Sequence, residues 1–244
     1  MKLMVNGYEA HVATGGKKFE KNLPTVLFLH GSGLDHRSWA LQTRWFAYNG
    51  FGVLAPDFPG HSLSKGAPCV TIEDSGKWLA DFLDAMGVRE AHVVGHSQGF
   101  LSALELSKLR PTALKSLIGV GTAAAIPVNP MLIETAGRSP MKAADLMLQW
   151  GFGHQTQMGV SATPGMQPIA IGRQIMGNNP LAVDLQCCAD YCGGVDAVGL
   201  VTAPSAMILA GQDKMTPIKA GLAIADQLQA KLVVLKDYGH MLPI

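Results

Sequence analysis

The stretch that decides the fold is residues 91–110, AHVVGHSQGFLSALELSKLR. It opens with a short, mostly apolar run typical of a buried strand, and a helical spacing of apolar residues then continues until Pro111 ends it. At the junction lies Gly95-His96-Ser97-Gln98-Gly99, a G-x-S-x-G sequence. The pattern predicts a serine that is held at a sharp strand-to-helix turn above the edge of a sheet.

This turn suits a nucleophilic serine for two physical reasons. Gly95 and Gly99 have no Cβ atoms, so strand and helix can approach each other closely on both sides of Ser97. The helix that begins beside Ser97 also points its free N–H groups and its positive dipole end at any anion formed on the serine's target. The stretch therefore favours attack by a serine hydroxyl that creates an oxyanion.

The composition limits the class of partner. With 244 residues, the chain is long enough for one large domain with a substantial core. It carries 19 Lys and Arg against 18 Asp and Glu, so it has no strong field to attract nucleic acid, an anionic membrane or a highly charged substrate. We expect a small, mostly uncharged molecule as the partner, and the oligomeric state stays open.

Three further features bear on the compartment. Residues 1–10 include no apolar segment of signal-peptide length, so we expect a cytoplasmic protein. Residues 146–172 carry no formal charge, but polar side chains and five glycines interrupt them, which indicates an apolar lid and not a membrane span. The four cysteines have no histidine nearby at metal-ligand spacing, so we expect buried thiols without a disulfide.

Strand and helix patterns alternate along most of the chain. Asn6-Gly7 between two short strands predicts a hairpin with a type I′ turn at an antiparallel edge. Residues 25–29 and 51–55 are apolar runs of the kind found in strands that are covered on both faces. Residues 71–86 combine an acidic first turn with a helical apolar spacing. Together these patterns predict an α/β fold with a doubly wound, mostly parallel sheet.

The alternation is interrupted once, between Thr122 and about Val201. Prolines there separate several short helical candidates, and no strand is predicted. Strand and helix alternation resumes near Ala206. We therefore predict an α/β core made of residues 1–121 and 202–244, with a helical cap inserted at residues 122–201.

Five motifs carry a resemblance to a known family. They are His30-Gly31-Ser32-Gly33, Asp57-Phe58-Pro59-Gly60-His61-Ser62, Gly95-His96-Ser97-Gln98-Gly99, Gly211-Gln212-Asp213 and Gly239-His240-Met241. Through these motifs, in this order and over nearly its whole length, the chain resembles the α/β-hydrolase family, and in particular its capped serine hydrolases. The resemblance implies the fold predicted above and a reaction without a cofactor.

The resemblance also implies a catalytic triad in the chain order serine, acid, histidine. Ser97 is then the nucleophile, and His240, in the loop after the last strand, is the base that takes its proton. Asp213 follows the end of a predicted buried strand and orients the histidine. Two alternatives stay open, namely His96 as the base and Asp237 as the acid.

An acyl-transfer intermediate needs two donors aimed at its oxyanion. The backbone N–H of Gln98, directly after the nucleophile, is one. The resemblance assigns the other to the N–H of Ser32, with Gly33 as the alternative. Residues 57–62 are a structural motif in the family and receive no chemical role. Because no cluster of metal ligands is visible, we expect no metal.

The nucleophile narrows the reaction. Haloalkane dehalogenases and epoxide hydrolases of this fold resemble the chain but carry aspartate where Ser97 stands. We therefore expect a carboxylesterase-like enzyme that cleaves an ester, thioester or lactone through an acyl-enzyme. The pocket is predicted to favour a small to medium, mostly apolar substrate. Its expected lining is Gly33, Leu34, Met147, Trp150 and Met241, with Met158 among the further apolar residues of the cap.

Other functions use the same residues. Carbon–carbon bond hydrolases and cofactor-free perhydrolases or haloperoxidases share the triad, and they stay open as alternatives. A member of this fold can also lack catalysis and keep its pocket for binding a ligand. The presence of all triad positions and both oxyanion loops favours an enzyme over a binding protein.

Overall fold

A computed structural model describes residues 1–154 and 168–244. Within these ranges, eight strands form one sheet in the order β1-β2-β4-β3-β5-β6-β7-β8. The strands are β1 (Lys2–Val5), β2 (Tyr8–Ala13), β3 (Thr25–Leu29), β4 (Gly52–Pro56), β5 (Ala91–His96), β6 (Leu114–Val120), β7 (Ser205–Ala210) and β8 (Lys231–Leu235). The pairs β1·β2 and β2·β4 are antiparallel, and all other neighbours are parallel. The predicted doubly wound, mostly parallel sheet is confirmed.

The helices of the described residues fill the connections between strands. They are α1 (Ala40–Tyr48), α2 (Ile72–Met86), α3 (Gln98–Leu109), α4 (Pro130–Arg138), α5 (Pro140–Gly151), α6 (Pro168–Met176), α7 (Leu181–Asp190), α8 (Gly194–Gly199) and α9 (Ile218–Gln227). Short 3-10 helices at His36–Trp39 and Pro111–Ala113 precede α1 and β6. The caps of α2 follow its sequence, since the Thr71 side chain accepts from the Asp74 N–H and Gly87 ends the helix in a left-handed conformation.

The sheet edge at the chain start forms as its turn residues require. Asn6 and Gly7 have φ values of 50° and 82°, the positive angles of a type I′ turn, and Val5 pairs directly with Tyr8. At the centre of the sheet, β5 lies between β3 and β6, and every residue of β3 and β4 is buried. The apolar runs of β3 and β4 are therefore strands with both faces covered, as predicted.

The segment between β6 and β7, here called the helical insertion (residues 122–201), contributes α4 to α8 and no strand among its described residues. It has its own apolar cluster, which includes Leu132, Leu148 and Met176. Leu34 and Met241, from loops of the sheet, belong to the same cluster. The insertion therefore packs on the loops at the carboxyl ends of the strands, while the division of the chain into core and cap domains stays a prediction.

Two glycines allow α3 to lie directly against the sheet. A Cβ atom on Gly99 would lie 2.5 Å from the carbonyl oxygen of Leu29 in β3, and one on Gly95 would lie 2.5 Å from the backbone nitrogen of Phe100. Both neighbours are backbone atoms at the centre of the fold and have no flexible end that could move aside. The start of α3 is consequently fixed by backbone packing and not by side chains.

We predict that Gly99→Ala destabilises the protein, because the new methyl group would overlap the Leu29 carbonyl. The expected loss in the free energy of unfolding is about 1–3 kcal/mol, measured by urea denaturation. Gly137→Ala is the matched control, since nothing lies within 4 Å of a Cβ at that position in α4. There the substitution should stabilise by about 0.4–1 kcal/mol. Equal effects of the two substitutions would contradict the packing argument.

Candidate active site

Ser97 lies in a strained turn between β5 and α3. Its φ and ψ are 52° and −121°, which is unusual for a residue with a side chain. The loop after β6 helps to hold this conformation: the Ser97 N–H donates to the Val120 carbonyl at 3.1 Å, and the Thr122 hydroxyl donates to the Ser97 carbonyl at 3.0 Å. Ser97 is thus held by the end of β6 and by the residue that follows it closely.

Asp213 and His240 form a buried pair. Asp213 Oδ2 lies 2.8 Å from His240 Nδ1, and the two side chains are 1% and 2% exposed. The second oxygen, Oδ1, accepts the backbone N–H groups of Met215 and Thr216 at 2.8 and 2.7 Å. Because the carboxylate accepts hydrogen bonds at both oxygens, the imidazole proton of His240 is on Nδ1. The lone pair on Nε2 can then accept a proton, as a general base requires.

The two alternatives for the base and the acid are less favourable. His96 lies with its ring centroid 4.9 Å from that of His240, but its Nε2 is 2.9 Å from the His240 carbonyl oxygen and donates to it. Burial, followed by the proximity of His240, lowers the pKa of His96 to about 3, so His96 is neutral. Asp237 is exposed and has no hydrogen bond to His240 among the described residues. The geometry favours His240 and Asp213.

The two predicted oxyanion donors are adjacent. Gln98 is the first residue of α3, so its N–H has no acceptor within the helix. The Ser32 hydroxyl donates to the Gln98 side-chain oxygen at 2.8 Å, which ties the two residues together. Within the described ranges, the Ser32 N–H has no hydrogen-bond acceptor in the protein. Both N–H groups thus lack a protein acceptor, and of the two residues Ser32 lines the cavity that contains Ser97 whereas Gln98 does not.

The structure corrects both predictions for Gly33. Its N–H donates to Asp184 Oδ2 at 2.7 Å, so it is not available as the alternative oxyanion donor. Gly33 is also absent from the lining of the cavity that contains Ser97. Gly33 has a φ of 67° and packs against α7, where an added Cβ would lie 2.8 Å from Leu181 Cδ1. It is a contact between core and insertion and not a pocket residue.

A cavity of about 250 Å³ lies beside the serine, and both Ser97 and His240 line it. Four of the predicted pocket residues line it as well: Leu34, Met147, Trp150 and Met241. Further apolar lining that sequence reasoning missed comes from Ile126, Val128, Leu185 and Met215, and Leu132 of the insertion lines the cavity as well. Met158 lies outside the described residues. The cavity is therefore largely apolar.

A second buried polar cluster lies behind the loop of Ser32. His61 Nδ1 lies 3.0 Å from the Pro59 carbonyl oxygen and its Nε2 2.9 Å from Asp184 Oδ2, so both nitrogens face acceptors and the ring is an imidazolium. Burial opposes this charge, but Asp184 outweighs it and raises the pKa of His61. The pKa of Asp184 is lowered although burial raises it, because His61 and the N–H of Gly33 stabilise the carboxylate.

His30 in the same cluster is neutral. Its Nδ1 donates to the Gly31 carbonyl at 3.0 Å, and its Nε2 accepts the Phe58 N–H at 3.2 Å. Burial, followed by the charge of His61, lowers its pKa to about 4. Sequence reasoning gave residues 57–62, which include His61, only a structural role and missed Asp184, since nothing in the sequence joins His61 to a residue 123 positions away.

One group outside this site contains metal-ligating side chains. His11, His36 and Asp57 offer ligand atoms within 4.8 Å of one another. Asp57 Oδ1 already accepts the His36 N–H at 2.8 Å and lies 2.7 Å from His36 Nδ1, and none of the three lines the cavity of Ser97. These contacts fix the loop that begins at residue 57. A reaction without metal or cofactor stays a prediction.

Among the described residues, no helix has both the length and the apolarity needed to cross a bilayer.

Comparisons with known proteins define the class. The family described as "Alpha/beta hydrolase family" matches residues 26–244. A 2-hydroxy-6-oxononadienedioate/2-hydroxy-6-oxononatrienedioate hydrolase of Dechloromonas aromatica is 27% identical over 88% of this chain and 80% of its own length. A 3-oxoadipate enol-lactonase of Acinetobacter baylyi is 30% identical over 43% of this chain, and the match spans only 40% of the lactonase.

The fold agrees with these matches. The crystal structure of the enol-lactonase from Burkholderia xenovorans LB400 covers 100% of this chain and 94% of that one, with a TM-score of 0.86 at 23% identity. The chain belongs to the alpha/beta hydrolase family. The two relatives described above are named as a hydrolase and an enol-lactonase.

The buried neutral histidines predict a loss of stability in mild acid. His30 and His96 in the unfolded chain protonate near the ordinary value of about 6.5, whereas in the folded chain they protonate only near 4 and 3. Unfolding therefore takes up protons below pH 6.5, and the free energy of unfolding should fall from pH 6.5 to 5. His61 has a raised pKa and its contribution is complete below 6.5, so it does not oppose this trend.

Urea denaturation at several pH values checks this expectation. The decrease should be smaller in a His96→Gln variant, because only His30 then contributes. A free energy of unfolding that stays constant or rises as the pH falls from 6.5 to 5 would show that these histidines are protonated in the folded chain.

Proposed function

We propose that this chain is a serine hydrolase that cleaves an ester, thioester or lactone of a small to medium, mostly apolar substrate through an acyl-enzyme. The observation that carries the proposal is that Ser97 and His240 line one cavity while Asp213 holds Nδ1 of the same histidine at 2.8 Å. This is the arrangement that activates a serine hydroxyl, since the base is oriented and its proton is on the far nitrogen.

The first half of the reaction follows from these positions. Ser97 Oγ attacks the carbonyl carbon of the substrate while His240 Nε2 takes the hydroxyl proton, and Asp213 stabilises the resulting imidazolium. The N–H groups of Ser32 and Gln98 bind the negative oxygen of the tetrahedral intermediate. When the carbon–oxygen bond to the leaving group breaks, or the carbon–sulfur bond of a thioester, His240 returns the proton to the departing alkoxide or thiolate.

The second half repeats these steps with water. Water attacks the acyl-enzyme as His240 removes its proton, and the Ser97 ester bond breaks with return of the proton to Oγ. The products are a carboxylic acid and an alcohol or thiol, or a single hydroxy acid when the substrate is a lactone. The apolar lining of the cavity supports an uncharged acyl group. We propose a small molecule as the partner, not nucleic acid or a membrane, and the cytoplasmic location stays a prediction.

A carbon–carbon bond hydrolase is the second candidate. The relative that matches over 80% of its own length is named for a dienedioate substrate, which carries two carboxylates. Lys214 lines the cavity and is a cation that could face such a carboxylate. In this reaction the bond that breaks joins two carbons, so the leaving carbanion must be protonated at carbon.

A substrate panel tests the proposal. It should contain p-nitrophenyl esters of graded acyl length, lactones of graded ring size and a 2-hydroxy-6-oxo-dienoate. We expect turnover of short to medium esters or lactones. Faster cleavage of the dienoate by more than tenfold in kcat/KM would favour the carbon–carbon hydrolase, and it would do so without changing the assignment of Ser97.

Ser97→Ala should abolish this turnover and leave the fold intact, because it deletes one oxygen in a cavity. A fluorophosphonate should label the parent at Ser97 and leave Ser97→Ala unlabelled, as peptide mass spectrometry can show. Absence of labelling in a folded parent would support the alternative of a non-catalytic ligand-binding protein.

Substitution of the two aspartates near His240 should have very different effects on turnover. Asp213→Asn should lower kcat by roughly 10³- to 10⁴-fold, because the amide favours the wrong tautomer of the histidine. Asp237→Asn is the control, since Asp237 is exposed and should retain parental turnover. A greater loss in Asp237→Asn than in Asp213→Asn would overturn the assignment of the acid.

A further inference from the structure

We propose that the helical insertion is part of the catalytic machinery, in that Asp184 and Asn179 hold the loop of Ser32 in the shape that presents its N–H to the oxyanion. The inference rests on the proposed function. It makes these two side chains positioning residues, since they act through Ser32 and touch no reacting atom.

The contacts fall on both sides of Gly33. Asp184 Oδ2 accepts the Gly33 N–H at 2.7 Å, and the Asn179 side-chain N–H₂ group donates to the carbonyl oxygens of Gly33 and Leu34 at 2.9 and 3.0 Å. The insertion therefore supplies the partners for three consecutive peptide groups directly after Ser32. Because these peptides are held, the backbone rotations that would turn the Ser32 N–H away are blocked.

Both side chains are held in place by further partners. Asn179 Oδ1 accepts the Ser62 N–H at 2.8 Å, and its N–H₂ group also reaches the Ile175 carbonyl at 3.0 Å. Asp184 is fixed by the His61 imidazolium at 2.9 Å. Asn179, Asp184 and His61 are 6%, 3% and 3% exposed, so water cannot replace a lost partner without rearrangement.

The loop has few other attachments near its tip. Between β3 and the 3-10 helix, the Leu34 N–H donates to the Gly31 carbonyl at 3.0 Å, and the Ser32 hydroxyl donates to Gln98. Neither contact fixes the peptide between Ser32 and Gly33, which Asp184 alone holds through its N–H among the described residues. Removal of Asp184 or Asn179 should therefore loosen this loop more than the rest of the site.

Tyr191 provides a matched control. Its hydroxyl donates to Glu105 Oε1 at 2.6 Å, which is another buried hydrogen bond between the insertion and the core. Glu105 is on α3, and neither residue touches the loop of Ser32 or lines the cavity. Tyr191→Phe removes this bond and keeps the ring. It separates a general loosening of the insertion from a specific effect on the oxyanion donor.

The test compares how fast a fluorophosphonate labels Ser97 in five proteins: the parent, Asp184→Ala, Asp184→Asn, Asn179→Ala and Tyr191→Phe. This rate needs no knowledge of the substrate, and the phosphoryl oxygen uses the same donors as a carbonyl oxygen. The Ala variants should be labelled roughly 10²-fold more slowly, as expected for a displaced oxyanion donor. Asp184→Asn should recover part of the rate, since the amide oxygen still accepts from Gly33, and Tyr191→Phe should match the parent.

Ester turnover supplies a second readout. In the Asp184 and Asn179 variants kcat should fall while KM stays near the parental value, because the oxyanion forms only in the transition state. Asp184→Asn and Asn179→Ala decide the question if Asp184→Ala does not fold.

The outcomes separate the two proposals. Folded Asp184 and Asn179 variants that are labelled at the parental rate would overturn the positioning role and leave the serine hydrolase intact. An equal slowing in Tyr191→Phe would also overturn it, since any loosening of the insertion would then suffice. A folded parent that is not labelled would overturn the proposed function, and the positioning role would fall with it.

Discussion

The close packing of α3 on the centre of the sheet is the constraint on which the rest of the site depends. Gly99 lies against the end of β3 and Gly95 against the first turn of α3, so the chain must turn within Ser97 and adopts a positive φ there. The loop after β6 then holds Ser97 through Val120 and Thr122. The serine thus lies at a turn that is held by close backbone packing and by two hydrogen bonds.

Burial and neighbouring charges set the protonation states of the histidines around this serine. His96 and His30 are neutral because burial lowers their pKa, whereas His61 is charged because Asp184 lies beside it. The neutral ring of His96 packs against the ring of His240. It therefore adds no positive charge beside the imidazolium that His240 must form during the proposed reaction. The Asp213 carboxylate accepts hydrogen bonds at both oxygens, and its negative charge would stabilise that imidazolium.

Short-range signals explain what the sequence could predict. The mostly parallel sheet follows from alternating strand and helix patterns. The turn at Ser97 and the pairing of Asp213 with His240 depend on motifs at the carboxyl ends of strands, which meet at one edge in any parallel sheet. The role of Gly33 could not be predicted in this way. Its N–H and carbonyl are bound by Asp184 and Asn179, 151 and 146 residues away, and that contact depends on how an irregular helical segment packs on the core. The lining by Ile126 and Val128 was missed for the same reason.

The hydrogen bonds from the helical insertion to Gly33 limit how this family can exchange parts. A hybrid chain that received residues 122–201 from a relative, and kept its own loop after β3, would bury a Gly33 N–H without an acceptor and a carbonyl without a donor. The loop and the segment that contacts it therefore depend on each other, although the sequence separates them. Substitutions in the apolar wall of the cavity would leave these hydrogen bonds in place, whereas changes in α7 or in the turn before it would affect residues 32–34 directly.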